Sequence, residues 1–529
     1  MNASEAPFFV APHQEESEGV DYLGLRATNL AMMGELLPGI NNVVISVRPF
    51  SLMAWIAWKY EGRPASTKDF ERFREKVETL FVWTHVQAST ANALPGNQQV
   101  DAGTPVLDFQ FKPFSRNASL LDAALYGPSM KTMNGLGFIF GTEGFFKVTD
   151  AGRALAVGLD SCLQEKLTRA QYEFVSSLEV ATAARAGLDG ILAGWHADGA
   201  SEAERVAFAD RLYQPKEIGR AGPHSRRSMT LHLVLEPLRA ASDAMDVDAM
   251  RQRLAVKPLP AAVFGHPAAE VFGEVRRYWQ VLQVRQAQRL GLEALFGWVE
   301  RCLVHDNATS VSELVALTLE AFTRDGNGVT LDDNFVASRL AHYAQGGLDA
   351  DALFAAGSED GGLSIFEATA SVEVVTWDVT NKSPLAFKAT ELLIQCAAFA
   401  GAFGRDDFAA GAANEGPRFR VPLGYWGEMV RSHQALPLRD FLRKLFETFL
   451  ISQHLGIAAS RAGDERSRMR ISSEDRGLPS LLPSAAKVFK PVRTADRLAS
   501  AMALMHSCGL IEADVPARVA SGAGPRFSA

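Results

Sequence analysis

The stretch LLPGINNVVISVRPFSLMAWIAWKY, residues 36–60, organises the rest of this chain. It opens with a Pro-Gly turn and two asparagines, continues through a β-branched segment, and reaches Pro49. Proline favours the first turn of a helix, because its φ is already helical and no useful backbone donor is lost there. Residues 50–58 are apolar on nearly every side, so this helix is predicted to be buried against several partners. It is shorter than the roughly 20 apolar residues that cross a bilayer.

Length, composition and charge are those of an ordinary globular protein. The chain has 529 residues, of which 47% are hydrophobic and 22% charged. Domains of about 100–200 residues predict two to four of them here. The net charge of −8 excludes a protein that coats nucleic acid over its whole surface. Any contact with nucleic acid must therefore be a local basic patch.

The cysteines and the N-terminus indicate a cytoplasmic protein. Cys162, Cys302, Cys396 and Cys508 lie far apart and form no CxxC motif. This pattern favours reduced, buried thiols over a disulfide framework or a zinc cluster. Residues 1–20 are acidic and polar, so we expect no secretory signal, and we expect no membrane span elsewhere.

Residues 117–152 carry the clearest supersecondary signal. Two helices are predicted, the second starting at Pro128, and a strand at 138–140 follows. After a glycine-bounded turn a returning strand is expected at 145–148, with a further helix from Thr149. The hydrophobic period changes from 3.6 to 2 where the ribbon begins. This order is that of a winged helix-turn-helix.

The predicted recognition helix presents few cations. It offers Lys131, Thr132 and Asn134 outward, and only the first is positive. DNA-binding modules usually bring several Lys or Arg side chains to the phosphates. Protein contact or domain packing is therefore favoured over DNA contact for this wing.

The middle of the chain reads as helical and alanine-rich. A loop near residues 213–229 contains several cations and few acids, and it is either a solvated loop or an anion contact. A domain boundary is predicted at 243–269, and one long helix follows at 273–303. Its arginines are predicted to form a solvated face. They are Arg276, Arg277, Arg285 and Arg289.

Searches for catalytic and metal motifs find nothing convincing. The segment TRDGNGVTLDDN, residues 323–334, is similar to a calcium loop, but Thr323 and Asn334 stand where an EF-hand needs carboxylates. Cys302 and His305, one helical turn apart, are expected to be structural. We therefore predict no metal, no cofactor and no catalytic residue. An active site assembled from residues that are distant in sequence is an alternative that motif searches do not test.

The C-terminal region is the more basic one. SVEVVTWDV, residues 371–379, is predicted to be β-rich. An apolar helix is expected at 384–403 and a long amphipathic helix at 438–462, in which His454 is expected to be an interior or boundary histidine. In ERSRMRISS, three arginines alternate, so a strand would place them on one face. Further cations precede a helix near Thr494, where phosphate could bind. Edge-strand and surface charge is the competing interpretation, since acids are interleaved.

Three motifs carry a resemblance to a known group. They are the order PGI-N-N, Arg, aromatic helix ending in Trp; FKVTDAGRALA; and RLASAMALMHSCGLI. Together they resemble bacterial winged-helix proteins associated with genome-defence (anti-phage) gene clusters. The resemblance implies a role in a multi-protein bacterial anti-phage or DNA-handling system, and it implies no catalytic residues.

The sequence thus predicts a mainly α, multi-domain fold of helical bundles with winged helix-turn-helix elements that carry short β-ribbons. The predicted ranges are a tail at 1–20, a helical domain with a winged helix at 21–160, a helical region at 161–256, a long-helix region at 257–360, and an α+β domain with a basic patch and a candidate second winged helix at 361–529.

Three functions are ranked in order. The first is a non-catalytic subunit that binds double-stranded DNA or a DNA-acting complex. The second is a structural subunit that docks other proteins through its wings. The third is a nuclease-type enzyme with a dispersed site. The residues predicted to contact nucleic acid are Arg466, Arg468, Arg470, Lys487, Lys490, Arg493, Arg497, Arg226, Arg227 and Lys131.

Overall fold

A computed structural model gives the fold, which is mainly helical as predicted. It describes the chain apart from residues 1–20, 62–65, 89–93, 95–96, 98–105, 109–119, 122–125, 132–134, 142–145, 178–181, 185–189, 257–267, 326–330, 345–348, 356–363, 378–383, 461–468, 476, 483, 485–486 and 515–524.

The chain forms two compact units, and each is built from segments that are remote in sequence. Unit 1 consists of Met1–Met32, Gln252–Pro258 and Gly273–Thr494. Unit 2 consists of Met33–Arg251, Leu259–Phe272 and Ala495–Ala529. The ranges predicted from the sequence follow chain order, whereas both units also take in residues from the other end of the chain.

The described α-helices of unit 2 are Arg48–Tyr60, Thr67–Gln87, Gly127–Met130, Asp150–Lys166, Arg169–Ser176, Leu192–Trp195, Glu202–Leu212, Pro223–Ala240 and Leu498–Ser507. Its antiparallel strand pairs are Val106–Asp108 with Thr182–Ala184, Ile139–Phe140 with Lys147–Val148, and Glu512–Asp514 with Arg526–Ser528. A 3-10 turn covers Pro215–Glu217.

The described α-helices of unit 1 are Val311–Asp325, Phe335–Tyr343, Ala350–Ala355, Ile365–Trp377, Pro384–Phe403, Asp407–Ala413, Leu423–His433, Leu438–Lys444 and Gln453–Ser460, with a π-helix at Leu445–Ser452 and a 3-10 turn at Arg418–Arg420. Three more helices contain residues of both units. They are Arg26–Leu36, Val247–Val256 and Ala269–His305.

The aromatic helix, Arg48–Tyr60, forms the core of unit 2, as predicted. Pro49 lies in its first turn, and ten consecutive residues from Arg48 are buried. Phe50 packs edge-on against Tyr126, with ring centroids 5.0 Å apart, and contacts Phe208 at 5.0 Å. Each buried aromatic side chain of this kind contributes roughly 1.5–3 kcal/mol to folding. The helix is therefore central because it has apolar neighbours around most of its circumference.

The predicted β-ribbon is present, while the winged helix stays a prediction. Ile139–Phe140 pairs antiparallel with Lys147–Val148. Thr149 then caps the helix Asp150–Lys166, since its Oγ1 accepts the N–H of Gly152 at 3.1 Å. The helix before the ribbon, Gly127–Met130, has four residues. Lys131 is already extended and bridges to Ile139, so the predicted recognition helix is shorter than expected, and residues 132–134 lie outside the described residues.

The central helix, Ala269–His305, corrects the prediction of a solvated arginine face. Every residue from 279 to 300 is buried. Arg285 donates to the carbonyl oxygen of Glu415 at 2.9 Å, and Arg289 pairs with Glu293 at 2.9 Å. The helix runs through the interior of unit 1, so each buried charge needs a polar partner there. The spacing of the arginines suggested a solvent-exposed face because their polar partners are distant in sequence.

The segment SVEVVTWDV was predicted to be β-rich, and this prediction is wrong. Residues Ile365–Trp377 form an α-helix. Its buried positions are Ile365, Thr369, Val372 and Thr376, which have helical spacing. Packing against the neighbouring helix Pro384–Phe403 overrides the local preference of the valines.

The helix Pro384–Phe403, which was predicted, has the length and apolar composition of a membrane span. Among the described residues it is the one helix that meets both criteria. However, 83% of its most apolar window is buried inside the protein, as in the core helix of a globular unit.

Candidate nucleic-acid interface

The segment of residues 34–42 is the meeting point of several basic side chains in unit 2. It contains the Pro-Gly turn, where Gly39 has a φ of +80°. A Cβ atom at Gly39 would lie 2.9 Å from the carbonyl carbon of Gly135, so only glycine fits. In turn, a Cβ at Gly135 would lie 2.2 Å from the carbonyl oxygen of Lys131. The close backbone contact therefore brings the backbone of Lys131, whose side chain is exposed, near the 34–42 segment.

Arg227 ties this segment to the rest of unit 2. It is 0% exposed and donates to the carbonyl oxygens of Pro38 at 2.9 Å, Leu212 at 2.9 Å and Arg211 at 2.7 Å. Among the described residues it has no acidic partner. Burial, reinforced by the charge of Arg211, lowers the pKa of Arg227 to about 9. Its side chain does not reach solvent, so the nucleic-acid contact predicted for Arg227 is not retained.

Arg226 faces the opposite way from its neighbour. Its side chain is exposed, and its Nη1 forms an ion pair with the carboxylate of Glu35, which is also exposed. Exposed ion pairs contribute only about 0–1 kcal/mol, so a competing anion can displace the carboxylate. Arg226 is therefore available to a ligand.

Arg497 reaches the same segment from the far end of the chain. Its backbone N–H donates to Oδ1 of Asn42 at 3.0 Å. Its Nη1 lies 3.8 Å from the position that a Cβ at Gly34 would take. In the part of the chain that the structure describes, this guanidinium has no hydrogen-bond or ion-pair partner. Burial lowers the pKa of Arg497 to about 10.

Two neighbouring side chains, Arg211 and His224, also have lowered pKa values. Arg211 is half-buried and donates through Nε to the carbonyl oxygen of Leu136 at 2.9 Å. Burial lowers its pKa. The pKa of His224 is lowered to about 4 by burial and by the charges of Arg227 and Arg211. A neutral histidine here means that the surroundings disfavour one more cation.

We name these residues the basic cluster: Lys131, Arg211, Arg226, Arg227 and Arg497. Four of the five were predicted from the sequence as nucleic-acid contacts. The fifth, Arg211, was missed, because one arginine in the last turn of an alanine-rich helix carries no signal of its own. Glu35 is the acid that pairs with the cluster among the described residues.

The residues predicted for the C-terminal basic patch differ in their surroundings. Arg466 and Arg468 lie outside the described residues. Arg470 donates through Nη2 to Glu300 at 2.8 Å and through Nη1 to the hydroxyl of Tyr22 at 3.0 Å. Arg470 is therefore engaged inside unit 1.

The remaining predicted residues of that patch differ in exposure. Lys487 and Lys490 are exposed in unit 1. Arg493 is half-buried, and its Nε lies 3.6 Å from the carboxylate of Glu373. Acids from other parts of the fold thus neutralise at least two arginines of the patch, Arg470 and Arg493, which sequence proximity could not reveal.

Other groups of titratable residues are structural. His454 is buried, accepts the N–H of Arg470 at 3.0 Å, and has its pKa lowered to about 4, mainly by burial. This confirms it as an interior histidine. Cys302 is buried, and burial raises its pKa to about 12. Among the described residues no group of three or more His, Cys, Asp or Glu side chains could hold a metal ion. The core of the calcium-like loop, residues 326–330, lies outside them.

Comparisons with protein-family models, with curated proteins and with solved structures find no match for this chain.

Proposed function

We propose that this chain is a non-catalytic accessory subunit that binds double-stranded DNA through the basic cluster of unit 2. The observation that carries the proposal is the convergence of Lys131, Arg226 and Arg497, which are far apart in the sequence, on the 34–42 segment. Lysine and arginine bind phosphate by charge-assisted hydrogen bonds, and arginine does so with two donors at once. The motif resemblance supports a place in a multi-protein bacterial defence complex.

The chemistry favours contact with the sugar-phosphate backbone. Lys131 and Arg226 are exposed and Arg497 is half-buried, so three cations of the cluster can reach phosphates. Such contacts fix position without reading base sequence. Each phosphate neutralised releases counterions, so three contacts predict a slope of about −3 in a plot of log K against log salt. The overall charge of −8 repels DNA elsewhere on the surface, so binding by this subunit alone should be weak and local.

The direct test is duplex binding as a function of salt. Fluorescence anisotropy with a short labelled duplex would compare the wild type with the double variant K131A/R226A. Removal of two phosphate contacts should weaken binding and reduce the slope by about 2. The matched control is R169A, because Arg169 is 92% exposed in the same unit and, among the described residues, pairs only with Glu173 on its own helix. Equal binding and equal slopes for all three proteins would overturn the proposal.

The sequence-predicted C-terminal patch needs its own variant. Alanine at Arg466, Arg468, Lys487, Lys490 and Arg493 tests it with Arg470 kept, because loss of Arg470 would leave the buried carboxylate of Glu300 without its cationic partner. A loss of DNA binding confined to this variant would move the interface to unit 1.

A second candidate function is docking of another protein through the β-ribbon. Phe140 lies on the first ribbon strand and leaves 43% of its surface exposed. An exposed aromatic side chain on a hairpin is typical of protein contacts. Co-purification of a partner from the native host that survives nuclease treatment and is lost in F140S would favour this function. Loss of the partner on nuclease treatment would favour DNA.

A further inference from the structure

Arg497 has an unusual backbone conformation. Its φ of +66° and ψ of −6° lie in the left-handed region, immediately before the helix Leu498–Ser507. Residues with a Cβ avoid this region because the side chain crowds the backbone carbonyl. Only two other non-glycine residues share a positive φ among those that the structure describes, Asn307 and Val421.

Contacts on both sides hold Arg497 in this conformation. Its N–H donates to Asn42 Oδ1, and its carbonyl oxygen accepts the N–H of Ala501 at 2.9 Å. The preceding residue, Asp496, is bound to Arg251, with 2.5 Å between Arg251 Nε and Oδ2 of Asp496. The surroundings therefore impose the strain, and Asp496 is already engaged with another arginine.

The side chain of Arg497 also destabilises the folded state. Its guanidinium is half-buried beside Gly34 and lacks a counter-ion among the described residues. Burial lowers the pKa of Arg497, and among the described residues no acid offsets this effect. A strained backbone and a desolvated, unpaired cation both oppose folding, and their coincidence at one residue is typical of a binding site.

We infer that Arg497 is the residue of the basic cluster that binds a phosphate oxygen of the nucleic acid. Asn42 is the residue that positions Arg497. This inference rests on the proposed DNA-binding function and names the anchor within that site. A phosphate supplies the missing counter-charge, and it offers two oxygens to the planar guanidinium. Asn42 belongs to the asparagine pair after the Pro-Gly turn, so the inference also assigns a role to that sequence feature.

Glycine at position 497 separates this role from a purely structural one. Glycine adopts a positive φ without penalty, whereas alanine keeps the strain and loses only the charge. We expect R497G to have a higher Tm than R497A, and both to bind duplex DNA about tenfold more weakly than the wild type. A structural role would predict unchanged affinity in folded protein.

Inorganic phosphate provides a readout that does not depend on DNA. It should raise the Tm of the wild type and of R169A, and it should raise the Tm of R497G much less. N42A keeps the arginine but frees its backbone, so it should weaken DNA binding severalfold, while N42D should weaken it further by adding a negative charge. R497K should recover only part of the affinity, because lysine lacks the two-donor geometry.

The outcomes are distinguishable. If R497G and R497A bind DNA like the wild type while K131A/R226A binds weakly, the proposed role of Arg497 in phosphate binding is overturned. The proposed DNA-binding function would still stand. A Tm of R497G below that of R497A would overturn the strain argument. If the wild type binds no duplex at any salt concentration, the proposed function itself fails, and this inference fails with it.

Discussion

The guanidinium of Arg227 donates to the carbonyl oxygen of Pro38 across 189 positions of sequence, at 2.9 Å. The same side chain satisfies the carbonyls of Leu212 and Arg211. Three backbone acceptors from two segments thus depend on one buried arginine. This arrangement holds the 34–42 segment in place, and with it the neighbouring exposed cations.

Loss of Arg227 should therefore destabilise unit 2. R227A leaves three acceptors without their donor and creates a cavity, and we expect a loss of about 3–5 kcal/mol in the free energy of unfolding. Urea unfolding monitored by tryptophan fluorescence would measure it. The adjacent R226A removes only an exposed ion pair and should change stability by less than about 1 kcal/mol. Similar losses for the two variants would contradict the structural role of Arg227.

Asp160 should be the main polar anchor of the aromatic helix. Its Oδ1 accepts the indole N–H of Trp55 at 2.7 Å and lies 2.8 Å from Nζ of Lys59. D160A leaves a buried indole donor unsatisfied, and we expect a loss of about 2–3 kcal/mol. A double-mutant cycle with W55F would isolate the Trp55–Asp160 contact. If the two losses simply add, the contact does not contribute as described.

Glu293 should make the stability of unit 1 depend on pH. It is fully buried on the central helix, and burial raises its pKa from 4.5 to about 7, although Arg289 opposes the shift. The folded state holds this proton more tightly than the unfolded state, so the stabilisation is complete below about pH 4.5 and is lost as the pH rises through about 7.

The variant E293Q tests this pH dependence. Glutamine stays neutral, so the fall in unfolding free energy between about pH 5 and pH 8 should shrink by on the order of 1–3 kcal/mol. Chemical denaturation at a series of pH values would measure the difference. The control E313Q alters an exposed carboxylate whose pKa is lowered by its hydrogen bonds to Thr309, and it should leave this window unchanged. A steeper fall in E293Q than in the wild type would show that the sign is wrong.

One thiol should react in the native protein. Cys162 is only half-buried and lines a groove of about 670 Å³ along the helix Asp150–Lys166. The other three cysteines are buried, and burial raises their thiol pKa values, which suppresses the reactive thiolate.

Mass spectrometry after brief treatment with iodoacetamide should therefore find one modification per chain, and C162S should abolish it. Unfolding in denaturant should expose the other three thiols. Modification of Cys302, Cys396 or Cys508 in the native state at the rate of Cys162 would contradict the burial that the structure assigns to them.

Local sequence determined the elements of this protein that depend on neighbouring residues. Pro49 and the apolar run after it were enough to predict the aromatic helix, because helix starts and buried faces have short-range signatures. The ribbon before Thr149 and the central helix followed from periodicity in the same way. The mainly helical fold was therefore accessible from the sequence.

Tertiary structure alone decided which charges are buried and which of them meet. Arg285 looked like a surface residue because its partner, the carbonyl of Glu415, is 130 positions away. The helix at Ile365–Trp377 was mistaken for a strand because β-branched residues take the conformation that their packing partners allow. Arg497 and Asn42 are separated by 455 residues, and their contact defines the anchor of the candidate interface. Burial and charge pairing are long-range properties, and only the folded chain brings such residues within reach of each other.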